Sequence, residues 1–320
     1  MTHHHHINIL VALGGNAILK HTDQGTAEEQ NKNISDTAKK LVELIHAGFR
    51  LIVTHGNGPQ VGDILLKNDI AKNSLPPMPL DICSAESQGM IGYMMQQKLQ
   101  STIRKAGLNI PVVTVLTQTL VDAKDPAFKH PSKPIGPFYT AMEASELKKS
   151  KGWTIINDSG RGFRRVVPSP EPVGIVEGDL IKTLFDEGAI VIAAGGGGVP
   201  VIEENGFIYG VEGVIDKDKA AVLLAEKVSA DALLILTDVD NVYLDYGRYN
   251  QRPLHKVALD TMKEFLAEGQ FAPGSMKPKV EAAIKFLEDG GNAVIITSID
   301  NALDALQEEA GTIITIDGDV

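Results

Sequence analysis

The fold is decided by the stretch Ile9-Leu10-Val11-Ala12-Leu13-Gly14-Gly15-Asn16, an apolar run that ends in two glycines and an asparagine. A short apolar run rich in branched side chains predicts a buried β-strand. Glycine at a strand end permits a sharp turn and lets a ligand approach the backbone with no Cβ in between. We therefore interpret this stretch as a strand that leads into a ligand-binding loop.

The same pattern returns twice along the chain. Residues 51–55 lead into Gly56-Asn57-Gly58, and residues 189–194 lead into Gly195-Gly196-Gly197-Gly198. Backbone N–H groups in tight loops or at helix N-termini bind anions without a charged side chain. Glycines also serve plain strand-to-helix turns, but three such loops favour a common anion site. None of them is a P-loop, and Gly14-Gly15-Asn16 does not fit the dinucleotide motif G-x-G-x-x-G.

Composition excludes several classes of function. The chain has 320 residues, of which 43% are hydrophobic and 22% charged, and its formal net charge is −11. This balance disfavours a general nucleic-acid or anionic-membrane binder. Cys83 is the single cysteine, so an intramolecular disulfide is excluded, a cysteine-ligated metal site is disfavoured, and a reducing cytoplasm is expected. No apolar run reaches the roughly 18 residues of a membrane span, and no secretion signal is expected.

Strand-like and helix-like segments alternate along most of the chain. Thr26 and Glu29 have the spacing of a capping box and begin a helix predicted over 26–47. Further helices are predicted from Pro59 and over 83–99, and a strand over 112–116. Such alternation predicts an α/β fold with a parallel sheet covered on both faces, which binds ligands at the carboxyl ends of its strands.

The chain divides into a tag-like tract and one large domain. His3–His6 lie in residues 1–6, which we set apart from the fold as a tag-like tract. Residues 7–320 form one domain with an N-terminal half over 7–116 and a C-terminal half over 173–320. Between them, residues 117–172 are rich in proline, and long irregular insertions in compact domains are usually functional. We predict that this insertion is a protruding subdomain or lid.

Three lysines stand in unusual contexts. Lys133 lies in a proline-rich segment of the insertion, whereas Lys217 and Lys279 lie at predicted helix starts. A lysine near a helix N-terminus opposes the helix dipole, so its position is better explained if an anion binds there as well. Asp216 and Asp218 flank Lys217 and could hold Mg²⁺, orient a lysine or cap the helix.

Other polar residues carry weaker signals. Arg161, Arg164 and Arg165 could clamp an anion, but salt bridges within the insertion are favoured. His55 precedes the Gly56 loop, where a supporting role is favoured over catalysis. Asp238 and Asp240 follow a buried strand and could contact a nucleotide.

The reaction class follows partly from what the sequence lacks. It contains no Ser-His-Asp signature, no H-E-x-x-H motif and no cysteine nucleophile motif. Phosphoryl transfer needs mainly positioning, Mg²⁺ and cations over the transferring group, and an anionic acceptor needs no general base. The available residues match that chemistry.

The glycine loops and lysine segments together resemble those of carbamate kinases, within the amino acid kinase superfamily. The resemblance covers nearly the whole chain after the histidine tract. The matching motifs include Val11-Ala12-Leu13-Gly14-Gly15-Asn16-Ala17, His55-Gly56-Asn57-Gly58-Pro59-Gln60-Val61-Gly62 and Gly195-Gly196-Gly197-Gly198-Val199-Pro200, and further matches lie in 88–93, 133–138, 164–170, 214–218 and 271–276.

The resemblance implies a three-layer αβα sandwich with a central, mainly parallel sheet and a protruding subdomain. It implies a homodimer that transfers phosphoryl reversibly between ATP and carbamate, usually to make ATP in fermentative arginine degradation. ATP or ADP would be a substrate, and Mg²⁺ would arrive with the nucleotide rather than at a dedicated metal site.

The resemblance also implies the residues of the site. The implied catalytic residues are Lys133, Lys217, Asp218 and Lys279, with Asp218 orienting the lysines. The implied substrate-binding residues are Gly14, Gly15, Asn16, Gly56, Asn57, Gly58, Gly196 and Gly197. The implied nucleotide-binding residues are Lys217, Thr237, Asp238, Tyr243, Met276 and Lys279.

Two alternative functions stay open from the sequence. One is a superfamily enzyme that acts on an amino-acid carboxylate such as acetylglutamate, which would need a larger pocket with fixed polar anchors. The other is a nucleotide-binding module without catalysis, against which the three lysines argue.

Overall fold

A computed structural model describes residues 7–20, 22–158 and 162–318. His3–His6 and Arg161 lie outside the described residues. The strands are β1 (Asn8–Leu13), β2 (Arg50–His55), β3 (Val112–Thr114), β4 (Gln118–Val121), β5 (Lys133–Tyr139), β6 (Ile155–Asn157), β7 (Phe163–Val167), β8 (Pro172–Ile175), β9 (Ile190–Ile192), β10 (Val199–Glu204), β11 (Phe207–Gly210), β12 (Ala232–Thr237), β13 (Tyr243–Leu244), β14 (Arg252–Pro253), β15 (Lys256–Ala258), β16 (Ala293–Ser298) and β17 (Thr312–Thr315).

Helices pack on both faces of the largest sheet and within the inserted segment. They are α1 (Ala27–His46), α2 (Gly58–Ala71), α3 (Leu80–Lys105), α4 (Ala141–Lys151), α5 (Gly178–Asp186), α6 (Lys217–Val228), α7 (Leu259–Ala267), α8 (Met276–Glu288) and α9 (Ala302–Leu306). In the part of the chain that the structure describes, none of them has the length and apolar character needed to span a bilayer.

Eight strands form the central sheet, in the order β15-β17-β16-β12-β1-β2-β9-β3. Every neighbouring pair is parallel except β16 with β17. The predicted α/β class with a mainly parallel sheet is therefore confirmed. Because β1, β2 and β9 are parallel neighbours, the glycine loops that follow them meet at one edge of the sheet.

The core has two layers because side chains alternate across each strand. In β1, Ile9, Val11 and Leu13 pack into the layer that contains α1, α3 and α9. Leu10 and Ala12 pack into the opposite layer, which contains α5, α6, α7 and α8. A strand buried on both faces reads as a continuous apolar run, which explains the sequence of residues 9–13.

The segment 117–172 has two structural parts. β4 and β8 pair with each other, and β4 also pairs with β10. The two ends of the segment therefore belong to a second, four-stranded sheet. Between them, β5, β7 and β6 form a separate antiparallel sheet that packs with α4. This three-stranded sheet and α4, over residues 133–167, are called the lid below.

Local signals in the sequence explain most element boundaries. Thr26 caps α1 and forms the predicted capping box with Glu29. Asn205 and Gly206 have φ of 54° and 79° and join β10 to β11 as a hairpin, in agreement with the Asn-Gly signal. The helix predicted over 83–99 is longer, at Leu80–Lys105, because Pro79 precedes its first turn and Gly107 follows its end.

Candidate active site

The loops after β1, β2 and β9 surround a cavity of about 210 Å³. We call it the transfer cavity. Its wall contains many of the residues that the sequence singled out, brought together from six separate parts of the chain. They are Gly15, Gly56, Asn57, Gly58, Lys133, Gly196, Asp216, Lys217, Asp218 and Lys279.

The backbone of the loop after β9 requires glycine. Gly196 has φ of 65°, and a Cβ built on it would lie 2.1 Å from Nδ2 of Asn57. A side chain at this position would therefore both strain the backbone and displace Asn57. The close contact joins the loop after β9 to the loop after β2.

Three buried threonines hold the loop after β9, and the sequence interpretation missed all of them. The Oγ1 of Thr54 donates to the Ala194 carbonyl over 2.9 Å, and Thr119 donates to the Gly197 carbonyl over 2.8 Å. Thr117 accepts a hydrogen bond from the Ala194 amide over 2.9 Å. Threonine within or beside a strand looks like ordinary strand preference, so no sequence signal marked this role.

Two lysines share one carboxylate at the base of the transfer cavity. Nζ of Lys217 lies 2.7 Å from Oδ1 of Asp218, and Nζ of Lys279 lies 3.1 Å from Oδ2. The Asp218 side chain is only 4% exposed. Because each oxygen binds a different ammonium group, Asp218 holds both lysines at a fixed spacing. The resemblance implied that Asp218 orients the lysines, and these two ion pairs are the contacts through which it would do so.

The start of α6 is built to present this cluster. Asp216 accepts a hydrogen bond from the Asp218 amide over 2.9 Å and so caps the helix. Its other oxygen lies 2.6 Å from Nζ of Lys133 on the lid. Of the three roles that were open for the aspartates, Asp216 both caps α6 and pairs with a lysine.

Burial and the neighbouring charges together shift the pKa values of Asp218, Lys217 and Lys279, and not all in the same direction. Burial opposes ionisation of Asp218, but Lys217 and Lys279 outweigh it, so the pKa of this carboxyl lies well below its usual value. Burial, together with repulsion from Lys279, lowers the pKa of Lys217 despite Asp218. For Lys279, burial is outweighed by attraction to Asp218, so its pKa is raised. Of the two lysines that contact Asp218, Lys217 is therefore the one whose charged form is disfavoured by its surroundings.

The lid reaches the transfer cavity through a close contact between two backbones. A Cβ on Gly62 of α2 would lie 2.0 Å from the Cα of Gly136 in β5. Only glycine at position 62 allows β5 to seat on α2 in this position. Lys151 at the end of α4 forms an ion pair with Asp69 of α2 and adds a second point of attachment.

Arg164 and Arg165 contact other residues of the lid. Arg164 donates from Nε to the Gly136 carbonyl over 3.0 Å and forms a salt bridge of 3.3 Å with Asp158. The Arg165 guanidinium lies 4.5 Å from the centroid of the Trp153 ring. Both arginines therefore support the fold of the lid.

His55 lies beneath the loops and has a fixed tautomer. Its Nδ1–H donates to the Gly56 carbonyl over 2.9 Å, because a carbonyl can only accept. Burial lowers the pKa of His55 to about 4, although the bond to Gly56 opposes the shift. A neutral, buried imidazole is consistent with the supporting role favoured for it.

A second cavity, of about 170 Å³, adjoins the transfer cavity. Ser275 lines both cavities. The four residues that the resemblance implied for nucleotide binding, besides the lysines, line the second cavity. Its wall also carries the aromatic rings of Tyr243 and Tyr246, whose centroids are 5.9 Å apart. The four implied residues are Thr237, Asp238, Tyr243 and Met276.

Gly14 and Asn16 lie on the other side of their loop. They line a separate cavity of about 650 Å³ together with residues of α1. The Gly14 amide donates to the Leu236 carbonyl over 2.9 Å, which fixes the loop against β12. Gly15 alone of this glycine pair faces the transfer cavity. Gly197 packs against Ile215 beneath the cavity, where a Cβ would lie 2.7 Å from the Ile215 side chain.

The carboxylates near the transfer cavity already have cationic partners. Asp216 pairs with Lys133, and Asp218 pairs with Lys217 and Lys279. Across residues 7–20, 22–158 and 162–318, no group of three or more histidine, cysteine or acidic side chains could hold a metal ion. A divalent cation brought by a ligand fits this site better than one held by protein carboxylates.

The chain matches known proteins over nearly its full length. Residues 8–298 match the model of the amino acid kinase family. The carbamate kinase of Thermococcus kodakarensis is 52% identical over 307 residues, which cover 95% of this chain and 98% of the relative. The carbamate kinase of Pyrococcus horikoshii is 50% identical over 309 residues, with 96% and 98% covered.

Solved structures of carbamate kinases also resemble the fold of this chain. The carbamate kinase of Giardia lamblia bound to citric acid superposes with a TM-score of 0.93 at 44% identity, covering 97% of this chain and 99% of that one. The same Giardia lamblia enzyme bound to AMP-PNP superposes with a TM-score of 0.90, with the same identity and coverage.

Proposed function

Since this chain belongs to the amino acid kinase family and to its carbamate kinases, we propose that the transfer cavity carries phosphoryl transfer between ATP and carbamate. In the direction of ATP synthesis, a β-phosphate oxygen of ADP forms a bond to the phosphorus of carbamoyl phosphate. The bond from phosphorus to the carbamate oxygen breaks, and carbamate leaves as an anion. No proton has to move to or from a protein group.

The observation that carries the proposal is the pair of lysines on Asp218, between the glycine loops and the second cavity. Charge spreads over the phosphoryl oxygens during transfer, and preorganised cations stabilise it most in a site shielded from water. Lys217 and Lys279 supply two positive charges against one carboxylate. The net positive charge of this group favours a phosphoryl group at that point.

The remaining wall suits a small planar anion. Gly15, Gly56 and Gly58 offer a cavity wall without side chains, and Lys133 on the lid adds a cation opposite them. We propose that carbamate lies between these loops and Lys133. Exclusion of water by the lid would also protect an acyl phosphate from hydrolysis.

We propose that the nucleotide base and ribose occupy the second cavity, with the phosphates directed past Ser275 toward Lys217 and Lys279. The aromatic rings of Tyr243 and Tyr246 support this orientation. Mg²⁺ would be held mainly by the nucleotide phosphates, and when bound it neutralises phosphate charge. The protein carboxylates nearby are already paired with lysines.

The acceptor distinguishes this function from that of other amino acid kinases. The transfer cavity of about 210 Å³ leaves little room for a large acceptor. A coupled assay should compare carbamate, formed from bicarbonate and ammonia, with acetylglutamate and aspartate as acceptors for ATP. We expect ADP release that requires both bicarbonate and ammonia. Faster turnover with an amino-acid carboxylate would assign the chain to a different reaction, and nucleotide binding without turnover would favour a regulatory module.

We also propose that the chain forms a homodimer in the cytoplasm and makes ATP in fermentative arginine degradation, as the family resemblance implies. The edge strand β11 exposes Phe207, Ile208 and Tyr209. An edge strand with exposed apolar side chains is a common pairing surface. Cys83 is buried, and burial raises the pKa of its thiol to about 11, which suits a reduced, unreactive cysteine.

A further inference from the structure

We propose that Ser87 is a positioning residue that fixes the side-chain amide of Asn57, so that the site selects carbamate over carboxylates of the same shape. Ser87 lies on α3, outside the glycine loops and the lysine cluster. The proposal rests on the proposed function, because it concerns how the same cavity recognises its acceptor.

The hydrogen bonds of Ser87 leave a single arrangement of protons. Its Oγ lies 2.7 Å from the Ser84 carbonyl and 2.8 Å from Nδ2 of Asn57. A carbonyl oxygen can only accept, so the single hydroxyl proton of Ser87 is donated to Ser84. The Ser87 oxygen must then accept from Asn57, and only the NH₂ end of the amide can donate. The amide of Asn57 is therefore held in one of its two orientations.

Packing prevents the amide from moving elsewhere. Asn57 is 3% exposed and Ser87 is fully buried. Gly196 lies against the flat amide, since a Cβ there would be within 2.4 Å of both Nδ2 and Oδ1. A buried amide confined between Ser87 and Gly196 has little freedom to rotate.

This orientation determines what the cavity offers to a ligand. Asn57 lines the transfer cavity. Within the described residues, Oδ1 of Asn57 has no protein donor, so this acceptor is available to a ligand. The NH₂ group of carbamate or of carbamoyl phosphate can donate to it, whereas the methyl group of acetate or acetyl phosphate cannot. An analogue that leaves a buried polar atom unpaired is strongly disfavoured.

The test uses acetyl phosphate, which differs from carbamoyl phosphate by a methyl group in place of the amino group. The kcat/KM for ATP formation from ADP should be measured with both donors, in wild type and in Ser87→Ala. Wild type should favour carbamoyl phosphate by at least about tenfold. In Ser87→Ala the amide is free to turn, and we expect the ratio to fall by about tenfold while the KM for ADP stays unchanged.

Ser101→Ala is the matched control. Ser101 lies on the same helix, and its hydroxyl also donates to a helix carbonyl, that of Gln97, over 2.7 Å. We expect the donor ratio in this variant to equal that of wild type. An equal loss of selectivity in Ser101→Ala and Ser87→Ala would mean that the effect comes from α3 in general and would overturn the proposal.

A second variant tests the same contact if Ser87→Ala does not fold. Asn57→Leu replaces the amide by an apolar group of similar size, and it should reduce use of carbamoyl phosphate far more than use of acetyl phosphate. An unchanged donor ratio in the folded variants, or equal use of both donors by wild type, contradicts the role of Ser87. Failure of wild type to use carbamoyl phosphate at all would instead contradict the proposed function.

Discussion

At the scale of single residues, the site depends on two lysines that share one aspartate. Replacing one partner of a buried ion pair leaves an uncompensated charge, which is normally costly. Here Lys279 continues to neutralise Asp218 when Lys217 is removed. Loss of Lys217 should therefore reduce catalysis more than it reduces the stability of the fold.

Lys217→Ala should lower kcat for ATP formation by about 10²- to 10⁴-fold, because a preorganised cation is lost from the transferring group. Its melting temperature should fall only modestly. The measurement is steady-state turnover together with thermal unfolding. Lys219→Ala is the control, since Lys219 lies two residues further along α6 and pairs with Glu171 on the surface. Turnover of Lys217→Ala near that of Lys219→Ala would remove Lys217 from the chemistry.

His55 predicts a pH dependence of stability. Its pKa is about 4 in the folded chain against a reference value of 6.5, so the unfolded chain binds the proton more tightly. The contribution of His55 to stability is thus complete above pH 6.5 and is lost as pH falls toward 4. By linkage this amounts to about 2 kcal/mol between pH 7.5 and pH 5. Guanidinium unfolding at both pH values should show a smaller loss in His55→Gln. An equal loss in both proteins would mean that His55 titrates normally in the fold.

At the scale of elements, the lid is positioned by its contact with α2. The distance from Lys133 to Asp216 depends on the seating of β5 on α2, since Gly62 and Gly136 set how closely the two backbones approach. The Lys151–Asp69 ion pair is only partly buried and is still screened by solvent, so we expect the backbone contact to dominate the position of the lid.

Gly62→Ala should therefore displace the lid without unfolding the central sheet. We expect kcat/KM for carbamoyl phosphate to fall by about tenfold or more, while the KM for ADP changes little, because the second cavity does not contact the lid. Gly89→Ala is the control, since Gly89 is also helical but a Cβ there meets no atom within 4 Å. Equal damage to the use of both substrates would count against a separate role for the lid.

Local elements could be predicted where the chain carries its own signals. The capping box of Thr26 and Glu29 and the Asn205-Gly206 turn identified α1 and the β10–β11 hairpin correctly. The first three residues of α3 were missed, because the residue before the helix is Pro79, which has no side chain that can cap it. The loop contacts of Thr54, Thr117 and Thr119 were missed, because a threonine in or near a strand gives no indication of its partner.

At the scale of the whole molecule, the sheet order brings the site together. Placing β1, β2 and β9 side by side joins loops that begin at residues 14, 56 and 193. The sequence could predict that each loop lies at the carboxyl end of a strand. It could not predict that Lys133 meets Asp216 across 83 positions, because such a contact depends on the docking of the lid.

We expect β11 to be the surface through which two copies of the chain pair. Light scattering after gel filtration should give about twice the 34.3 kDa of one chain. Tyr209→Asp should shift the mass toward one chain, because burying a carboxylate in an apolar interface is costly. Tyr249→Asp is the control, since Tyr249 is fully exposed on a loop outside β11. A dimer that survives Tyr209→Asp would assign the interface to another surface.

We propose that the lysine pair and the glycine loops transfer a phosphoryl group between carbamoyl phosphate and ADP. The most direct measurement is a ³¹P NMR time course of the purified protein with carbamoyl phosphate, ADP and Mg²⁺. We predict that one ATP appears for each carbamoyl phosphate consumed and that inorganic phosphate stays at the level of an enzyme-free sample. Loss of carbamoyl phosphate to inorganic phosphate alone, with no γ-phosphate signal of ATP, would contradict the claim.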